Sequence, residues 1–346
     1  MRCRWHEPFR VAALIATSAF ISSAAAAGLD AAVIAKAKQE GQVLFYTNLI
    51  VNQVVRPLAA GFEKAYGIKV EFIRADSQAT ILKVVNEFRA GKTQADVWNL
   101  SSGLDSLTDA GAIAKFKAPS ADAYPPQYRD PNGTWVATNV YVNTPGYNTD
   151  LVPANVVPKT YQDLLDPRWK GKLVWKPNDI SGATGFIGNI LTAWGEQKGM
   201  DYLRKLAAQD INPVDASARA IVDRVIAGDF PIALQIFNHH TVISREKGAP
   251  VSWIAMEPTT LSLQIAGVTT GAPHPNAALL FVDYMISPEG QRIFQQVGYL
   301  PADPNVPAQV PALKPEGGHF KGNVLSPEAL NAGLDHWTAV YKQLFH

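Results

Sequence analysis

Strands and helices alternate from residue 42 to residue 99, and this alternation constrains the fold more than any other feature of the chain. The pattern predicts strands at 42–46, 68–73 and 95–99, with helices at 51–66 and 78–90 between them. Strand–helix–strand units of this kind form parallel sheets with right-handed crossovers. The first part of the chain therefore predicts an α/β unit.

The predicted helix at 78–90 is amphipathic. Its apolar residues Ile81, Leu82, Val85 and Phe88 recur at helical spacing and define a face for burial. Ser77 stands where a helix N-cap is expected.

The alternation changes after residue 119. The predicted strands beyond it are 134–142, 172–175, 231–237, 251–255 and 262–269, and the predicted helices are 183–197, 201–209, 216–227, 276–286 and 288–296. The chain thus leaves the first unit near residue 140 and returns near residue 260. Two crossings imply two hinge strands, near 138–143 and 260–267, and a cleft between two lobes.

Chain length supports the same division into lobes. Roughly 320 residues, the length without an N-terminal signal, exceed the usual size of one core. We expect one lobe at 28–140 plus 260–346 and the other at 141–259. The C-terminal segment should pack against the first lobe or bridge both.

The first 27 residues predict a cleavable secretory signal. Arginines precede an apolar run at 11–21, and small residues follow it, with cleavage near Ala27. The single cysteine, Cys3, lies inside this segment, so the mature chain has no disulfide and no lipidation cysteine. No stretch reaches the ~20 apolar residues of a membrane span. We expect a soluble periplasmic protein.

Composition excludes several function classes. The formal net charge is +1, which gives no reason to expect nucleic acid or an anionic membrane as a partner. Nucleophile-elbow, phosphate-loop and zinc-protease patterns are absent from the sequence. Ser101 and Ser102 lack the strained turn of a hydrolase nucleophile. A hydrolytic enzyme is therefore the weaker alternative to a binding protein.

Six ordered motifs carry a family resemblance. They are FEKAYGIKV from residue 62, RAGK with ADV in 89–97, YNTDLV from 147, DPRWKGK from 166, GAPHPNAA from 271 and SPEGQ from 287. In this order they resemble the ABC-transporter periplasmic solute-binding proteins, in the class that includes ferric-ion-binding proteins. The resemblance implies a two-lobed, type II periplasmic-binding-protein fold of α/β class. It also implies hinge closure on a small ligand, delivery to a membrane permease and no cofactor; we expect a monomer.

Polar residues follow the predicted strands, where α/β sheets hold their ligands. The candidate ligand-binding residues are Thr47, Asn48, Arg74, Ser77, Ser101, Ser102, the hinge residue Tyr141, the helix start Ser181, Gly182, Ala183 and Thr184, and the strand end Asn238, His239 and His240. Hydroxyls, amides, helix N-termini and the bidentate guanidinium of Arg74 favour an anion. Ser77 and Ser181 also suit a purely capping role, and the histidines suit a solvated helix start.

A metal site is the alternative interpretation. In the ferric branch of the resembled class, a tyrosine pair follows the returning strand, and His239 and His240 occupy that place here. The branch's histidine and acidic ligands fall near Ile50 and Ser101. Imidazole suits softer divalent metals than Fe(III). We therefore expect no bound metal, with ferric or other metal transport through the histidine pair as the alternative.

Overall fold

The computed structural model describes residue 1, residues 28–177 and residues 180–345. The strands are β1 Gln42–Thr47, β2 Lys69–Arg74, β3 Val97–Leu100, β4 Ile113–Ala114, β5 Val136–Asn148, β6 Leu173–Trp175, β7 Asn212–Pro213, β8 Ile232–Phe237, β9 Val251–Trp253, β10 Thr259–Thr269, β11 Leu300–Pro301 and β12 Gly322–Leu325. The helices are α1 Ala31–Glu40, α2 Arg56–Tyr66, α3 Ser77–Arg89, α4 Leu104–Asp109, α5 Ala183–Trp194, α6 Glu196–Ala207, α7 Ala218–Ala227, α8 Asn238–Arg245, α9 Pro275–Ile286, α10 Pro288–Gln296, α11 Pro315–Gly318 and α12 Pro327–Leu344. Residues 2–27 of the predicted signal lie outside the described residues. Within the described ranges, no helix combines the length and the apolar character needed to cross a membrane.

Two long antiparallel strands, β5 and β10, lie side by side in the middle of the sheet. The strand order is β2-β1-β3-β10-β5-β8-β6-β7. On one side β1 pairs in parallel with β2 and β3, and on the other β6 pairs in parallel with β7 and β8. Two parallel α/β units joined by two hinge strands confirm the predicted two-lobed class.

The buried side chains form separate cores on the two sides of the hinge. The largest cluster draws on residues 37–142 and 261–320. A second cluster draws on residues 152–256 and 325–345, and a smaller third one on residues 174–251. The lobe boundaries near 140 and 260 stay a proposal.

The C-terminal helix α12 contacts both lobes. Near its start, Glu328 Oε1 accepts a hydrogen bond of 3.1 Å from the indole N–H of Trp135 in the first lobe. Farther along, Trp337, Tyr341 and Phe345 lie in the second core. Of the two expected positions for the C-terminal segment, α12 takes the bridging one, so the chain passes from the first core to the second again after β12.

The start and the buried face of α3 differ from the sequence prediction. Asp76, not Ser77, is the N-cap: its Oδ1 accepts the backbone N–H three residues later at 2.8 Å. Leu82 was expected on the buried face but is 62% exposed, whereas Val84 is buried. Because Ser77 is the first helical residue, its hydroxyl is left for contacts outside the helix.

Candidate functional site

A cavity of about 690 Å³ lies between the lobes, beyond the carboxyl ends of β1, β2 and β3. Both hinge strands contribute to it, through Tyr141 on β5 and Gln264 on β10. The C-terminal helix α12 forms part of the opposite wall.

Seven of the fourteen predicted ligand-binding residues line this cavity. They are Asn48, Arg74, Ser77, Ser101, Ser102, Tyr141 and Ser181. The other seven, which do not line it, are Thr47, Gly182, Ala183, Thr184, Asn238, His239 and His240. Whether each lining residue touches a ligand stays a prediction.

Two serine hydroxyls and one amide meet on the first lobe's side of the cavity. Asn48 Nδ2 donates to Ser77 Oγ at 2.9 Å and to Ser101 Oγ at 3.2 Å. The two serine oxygens are 3.3 Å apart. Three loops that are distant in sequence thus converge because β1, β2 and β3 end at the same edge of the sheet.

The buried amide side chains of Gln264 and Asn99 form a hydrogen-bond network that joins this cluster at Asn48. Gln264 Nε2 donates to Asn48 Oδ1 and to Asn99 Oδ1, both at 2.6 Å. Thr47, predicted to bind ligand, is fully buried and donates to Asn99 Oδ1 at 3.0 Å. Thr47 therefore belongs to the support of the site, because its side chain points into the sheet rather than into the cleft.

Two basic and three acidic side chains line the cavity, and they differ in the hydrogen bonds they make within the protein. Arg74 is exposed at the end of β2, and its side chain makes no hydrogen bond or ion pair within the described part of the chain. Lys176 is the second basic residue, and Asp76, Asp105 and Asp335 are the acidic ones. These three carboxylates were not among the residues predicted from the sequence, and Asp76 already caps α3 through one oxygen.

The amino termini of two long helices meet the cavity wall. Ser77 begins α3, and Ser217 caps α7 through its hydroxyl, which accepts the Ala220 N–H at 3.2 Å. Helix N-termini carry a partial positive charge and unpaired N–H groups. In the second lobe this contribution was predicted for the start of α5, and the N-terminus of α7 makes it instead.

Aromatic rings form one wall of the cavity at the hinge. Tyr141 and Phe237 stack with centroids 4.6 Å apart at 24°, and Tyr299 packs edge-on against Tyr141 at 6.3 Å. Burial raises the pKa of Tyr141 to about 12 and also raises the pKa of Tyr299 above its ordinary value. Both phenols therefore stay protonated near neutral pH and present an O–H rather than a phenolate.

The histidine pair is turned away from the cavity. Asn238 is fully buried and donates to the Leu313 carbonyl at 2.8 Å. His239 is buried, with its ring 5.8 Å from Phe237 and nearly parallel to it. Burial lowers the pKa of His239 strongly and that of His240 to about 4, so both imidazoles are uncharged near neutral pH. Phe237, the residue before them, occupies the cavity wall in their place.

The start of α5 is only partly exposed to the cavity. Ser181 lines it, but Gly182, Ala183 and Thr184 are buried. Ala183 belongs to the second core, because the first turn of α5 packs under the sheet. This packing removes three predicted residues from the cavity surface.

Several cavity residues were missed by the sequence analysis. The main ones are Lys176, Ser217, Phe237, Ser262, Gln264 and Tyr299. Lys176 directly follows β6, so the strand-end rule would have found it. Ser262 and Gln264 are polar positions two apart in an otherwise apolar hinge strand, which was a usable signal. Among the described residues, no three His, Cys, Asp or Glu side chains converge to hold a metal ion.

Comparison with known proteins places these features among solute-binding proteins. A family profile described as "Bacterial extracellular solute-binding protein" matches residues 100–321. An uncharacterised Haemophilus influenzae protein is 29% identical over 292 residues, which cover 79% of this chain and 80% of that protein.

Two solved structures illustrate the range of ligands found on this fold. The Trichodesmium protein IdiA (FutA), in complex with iron and citrate, has a TM-score of 0.75 and 20% identity, covering 88% of this chain and 99% of that one. The periplasmic binding protein AfuA of Actinobacillus pleuropneumoniae, with fructose-6-phosphate bound, has a TM-score of 0.71 and 22% identity, covering 88% and 98%. At these identities the likeness establishes the fold alone.

Proposed function

The chain belongs to the family of bacterial extracellular solute-binding proteins, and we propose that it captures a small organic or phosphorylated anion in its interlobe cavity. Delivery of that anion to the membrane permease of an ABC importer completes the proposed role. The periplasm is the proposed compartment, and the bound solute is the cargo.

The position of Arg74 is the observation that carries the proposal. Its guanidinium lines the cavity with no acidic partner among the described residues, so its donors are available to a ligand. A guanidinium matches carboxylate and phosphate geometry with paired hydrogen bonds. When the lobes close and water leaves the cleft, an anion must find such donors to replace its hydration.

Neutral donors around Arg74 suit the same ligand. Ser77 and Ser101 bring hydroxyls to one point, and the N-termini of α3 and α7 add partial positive charge. Each charge-assisted hydrogen bond is worth about 1.5–3 kcal/mol. These contacts supply affinity without a metal ion.

The remaining cavity wall favours an organic anion over a bare inorganic one. Asp105 and Asp335 need hydrogen-bond donors, which hydroxyl groups on the ligand would provide. Tyr141, Phe237 and Tyr299 present an apolar face for a carbon skeleton. A hydroxylated carboxylate or phosphate ester meets all three requirements, and fructose-6-phosphate on AfuA is an anion of this kind.

A metal cargo fits the cavity less well, although iron is bound by the Trichodesmium relative. His239 and His240, which stand where the ferric branch has its tyrosine pair, do not line the cavity. Among the described residues, no three His, Cys, Asp or Glu side chains converge to hold a metal ion there. Metal transport through the histidine pair therefore remains the alternative, not the proposal.

Recovery of the natural ligand tests the proposal directly. Protein purified without denaturation is unfolded, and the released small molecules are identified by mass spectrometry, with metal analysis of the same sample. We expect a hydroxylated organic or phosphorylated anion. A neutral or cationic compound, or stoichiometric metal alone, would contradict the proposal.

We also propose that the protein binds its ligand without turning it over. Incubation with phosphate and carboxylate esters should leave them intact. Steady hydrolysis at an enzyme-dependent rate would favour the enzymatic alternative.

A further inference from the structure

We propose that Gln264, on hinge strand β10, is a positioning residue that fixes the hydrogen-bond polarity of the cavity and so makes it selective for anions. The inference rests on the proposed function, since it explains how the same cavity distinguishes acceptors from donors. Gln264 acts through the amide of Asn48 rather than by direct contact with ligand.

The donor and acceptor roles in the network are fixed at one end by a backbone carbonyl, which can only accept hydrogen bonds. Asn99 Nδ2 donates to the Ile265 carbonyl of β10 at 3.1 Å and to Thr138 Oγ1 of β5 at 3.1 Å. This fixes the Asn99 amide, so its oxygen must face Gln264 and Thr47. Both hinge strands therefore take part in setting the orientation.

Gln264 passes this orientation to Asn48. Because Asn99 Oδ1 can only accept, the group of Gln264 that faces it must be the amide nitrogen. The second N–H of that nitrogen donates to Asn48 Oδ1. A flipped Asn48 would place its own NH₂ group 2.6 Å from the Gln264 nitrogen, donor against donor. The amide of Asn48 is thereby held with its nitrogen toward the serines.

The serine hydroxyls complete the chain at the cavity surface. Ser77 Oγ accepts from Asn48 Nδ2 at 2.9 Å and from the Ser101 backbone N–H at 3.4 Å, and Ser101 Oγ accepts from Asn48 Nδ2 at 3.2 Å. With both lone pairs of Ser77 engaged, the Ser101 O–H has no acceptor in this cluster. Its proton is available to a ligand oxygen, and an anion supplies an acceptor there.

Substitution of Gln264 by glutamate should reverse which end of the Asn48 amide faces the two serines. A carboxylate cannot donate to Asn48 Oδ1, so the Asn48 amide turns its nitrogen toward Glu and its oxygen toward the serines. The serine protons are then consumed by Asn48. We expect Gln264→Glu to weaken anion binding by about tenfold or more, the scale of one charge-assisted hydrogen bond. The uncharged Gln264→Met should cause a smaller loss, since the Asn48 amide becomes free to take either orientation.

A double-mutant cycle with Asn48→Ala isolates this pathway. Calorimetric titrations use fructose 6-phosphate, citrate and inorganic phosphate with the unmodified protein and with Gln264→Glu, Gln264→Met, Asn48→Ala and both double variants. In the Asn48→Ala background Gln264→Met should change affinity by about twofold or less, the ordinary scatter of independent sites. Gln264→Glu also adds a negative charge at the cavity, which repels an anion in either background, so the Gln264→Met cycle is the one that isolates the pathway. Thermal melts confirm folding, and the Gln264→Met cycle decides if the glutamate variant does not fold.

Two results would overturn the inference while the proposed function stands. Equal losses on Gln264→Met with and without Asn48 would show that Gln264 does not act through that amide, and unchanged affinity in both single Gln264 variants would show no positioning role. In either case, normal binding by the unmodified protein leaves the proposed function standing. Failure of the unmodified protein to bind any of the three anions would instead overturn the proposed function and this inference with it.

Discussion

At the scale of single residues, Arg74 is expected to dominate affinity. Arg74→Ala should weaken binding of the recovered ligand by about tenfold to a hundredfold, because charge-assisted hydrogen bonds are lost. Its exposed position predicts an unchanged free energy of unfolding within about 0.5 kcal/mol. Calorimetric titration measures the effect, and Arg89→Ala, at the opposite end of α3, is the matched control. Equal affinities for the Arg74 and Arg89 variants would contradict the anion site.

His240 is expected to make stability depend on pH. Burial lowers its pKa to about 4, whereas the unfolded side chain titrates near 6.5. The unfolded chain therefore binds the additional proton, and stability is present above pH 6.5 and lost as pH falls toward 4. Between pH 7 and pH 5 the loss from this group is about 2 kcal/mol.

Urea unfolding of His240→Gln at pH 7 and pH 5 measures that contribution. The variant should lose less stability on acidification than the unmodified protein, while His239 keeps part of the slope in both. Identical slopes would show that the buried environment of His240 does not govern its protonation.

At the scale of elements, helix α12 is held against α5 by a close fit at Gly188. A Cβ on Gly188 would lie 2.5 Å from the Trp337 ring, and that ring belongs to α12. Gly188→Ala should destabilise the protein by about 1–3 kcal/mol through overpacking, although alanine is the better helix former. Denaturant unfolding checks the change. Its cost should shrink in a Trp337→Leu background, and an undiminished cost there would place the strain elsewhere.

At the scale of the whole molecule, the cleft between the lobes is expected to carry no iron. Purified protein should contain far less than one iron per chain and show no visible phenolate-to-iron absorption band. The physical reason is that histidines replace the consecutive tyrosine pair of the ferric branch, and that His239 packs behind Phe237 outside the cavity lining. Metal analysis and absorption spectra after mild chelation provide the measurement. Near-equimolar iron that persists would favour the metal alternative, and His239→Gln and His240→Gln would then test the histidine pair as its ligands.

The sequence by itself determined the order of the main strands and helices between residues 42 and 296 and seven of the residues that line the candidate site. Alternation of apolar segments is a local signal, so the strands and helices were predictable from short windows. Asn48, Arg74 and Ser101 were also predictable, because parallel strands end at one edge wherever they lie in the sheet. The hinge strands followed from the chain's departure near residue 140 and its return near residue 260.

Only the tertiary structure decided which strand-end residues face the cleft. Local sequence placed His239 at a strand end, but packing against Phe237 and Tyr299 turned its ring inward. The contact between Gln264 and Asn48 joins residues 216 positions apart, and no local pattern encodes it. The packing of α12 likewise involves a residue distant in sequence, because the Trp337 ring lies against Gly188 of α5, where a Cβ would not fit. Side-chain direction at these places is set by neighbours that meet only when the lobes assemble, and that is why the sequence alone could not supply it.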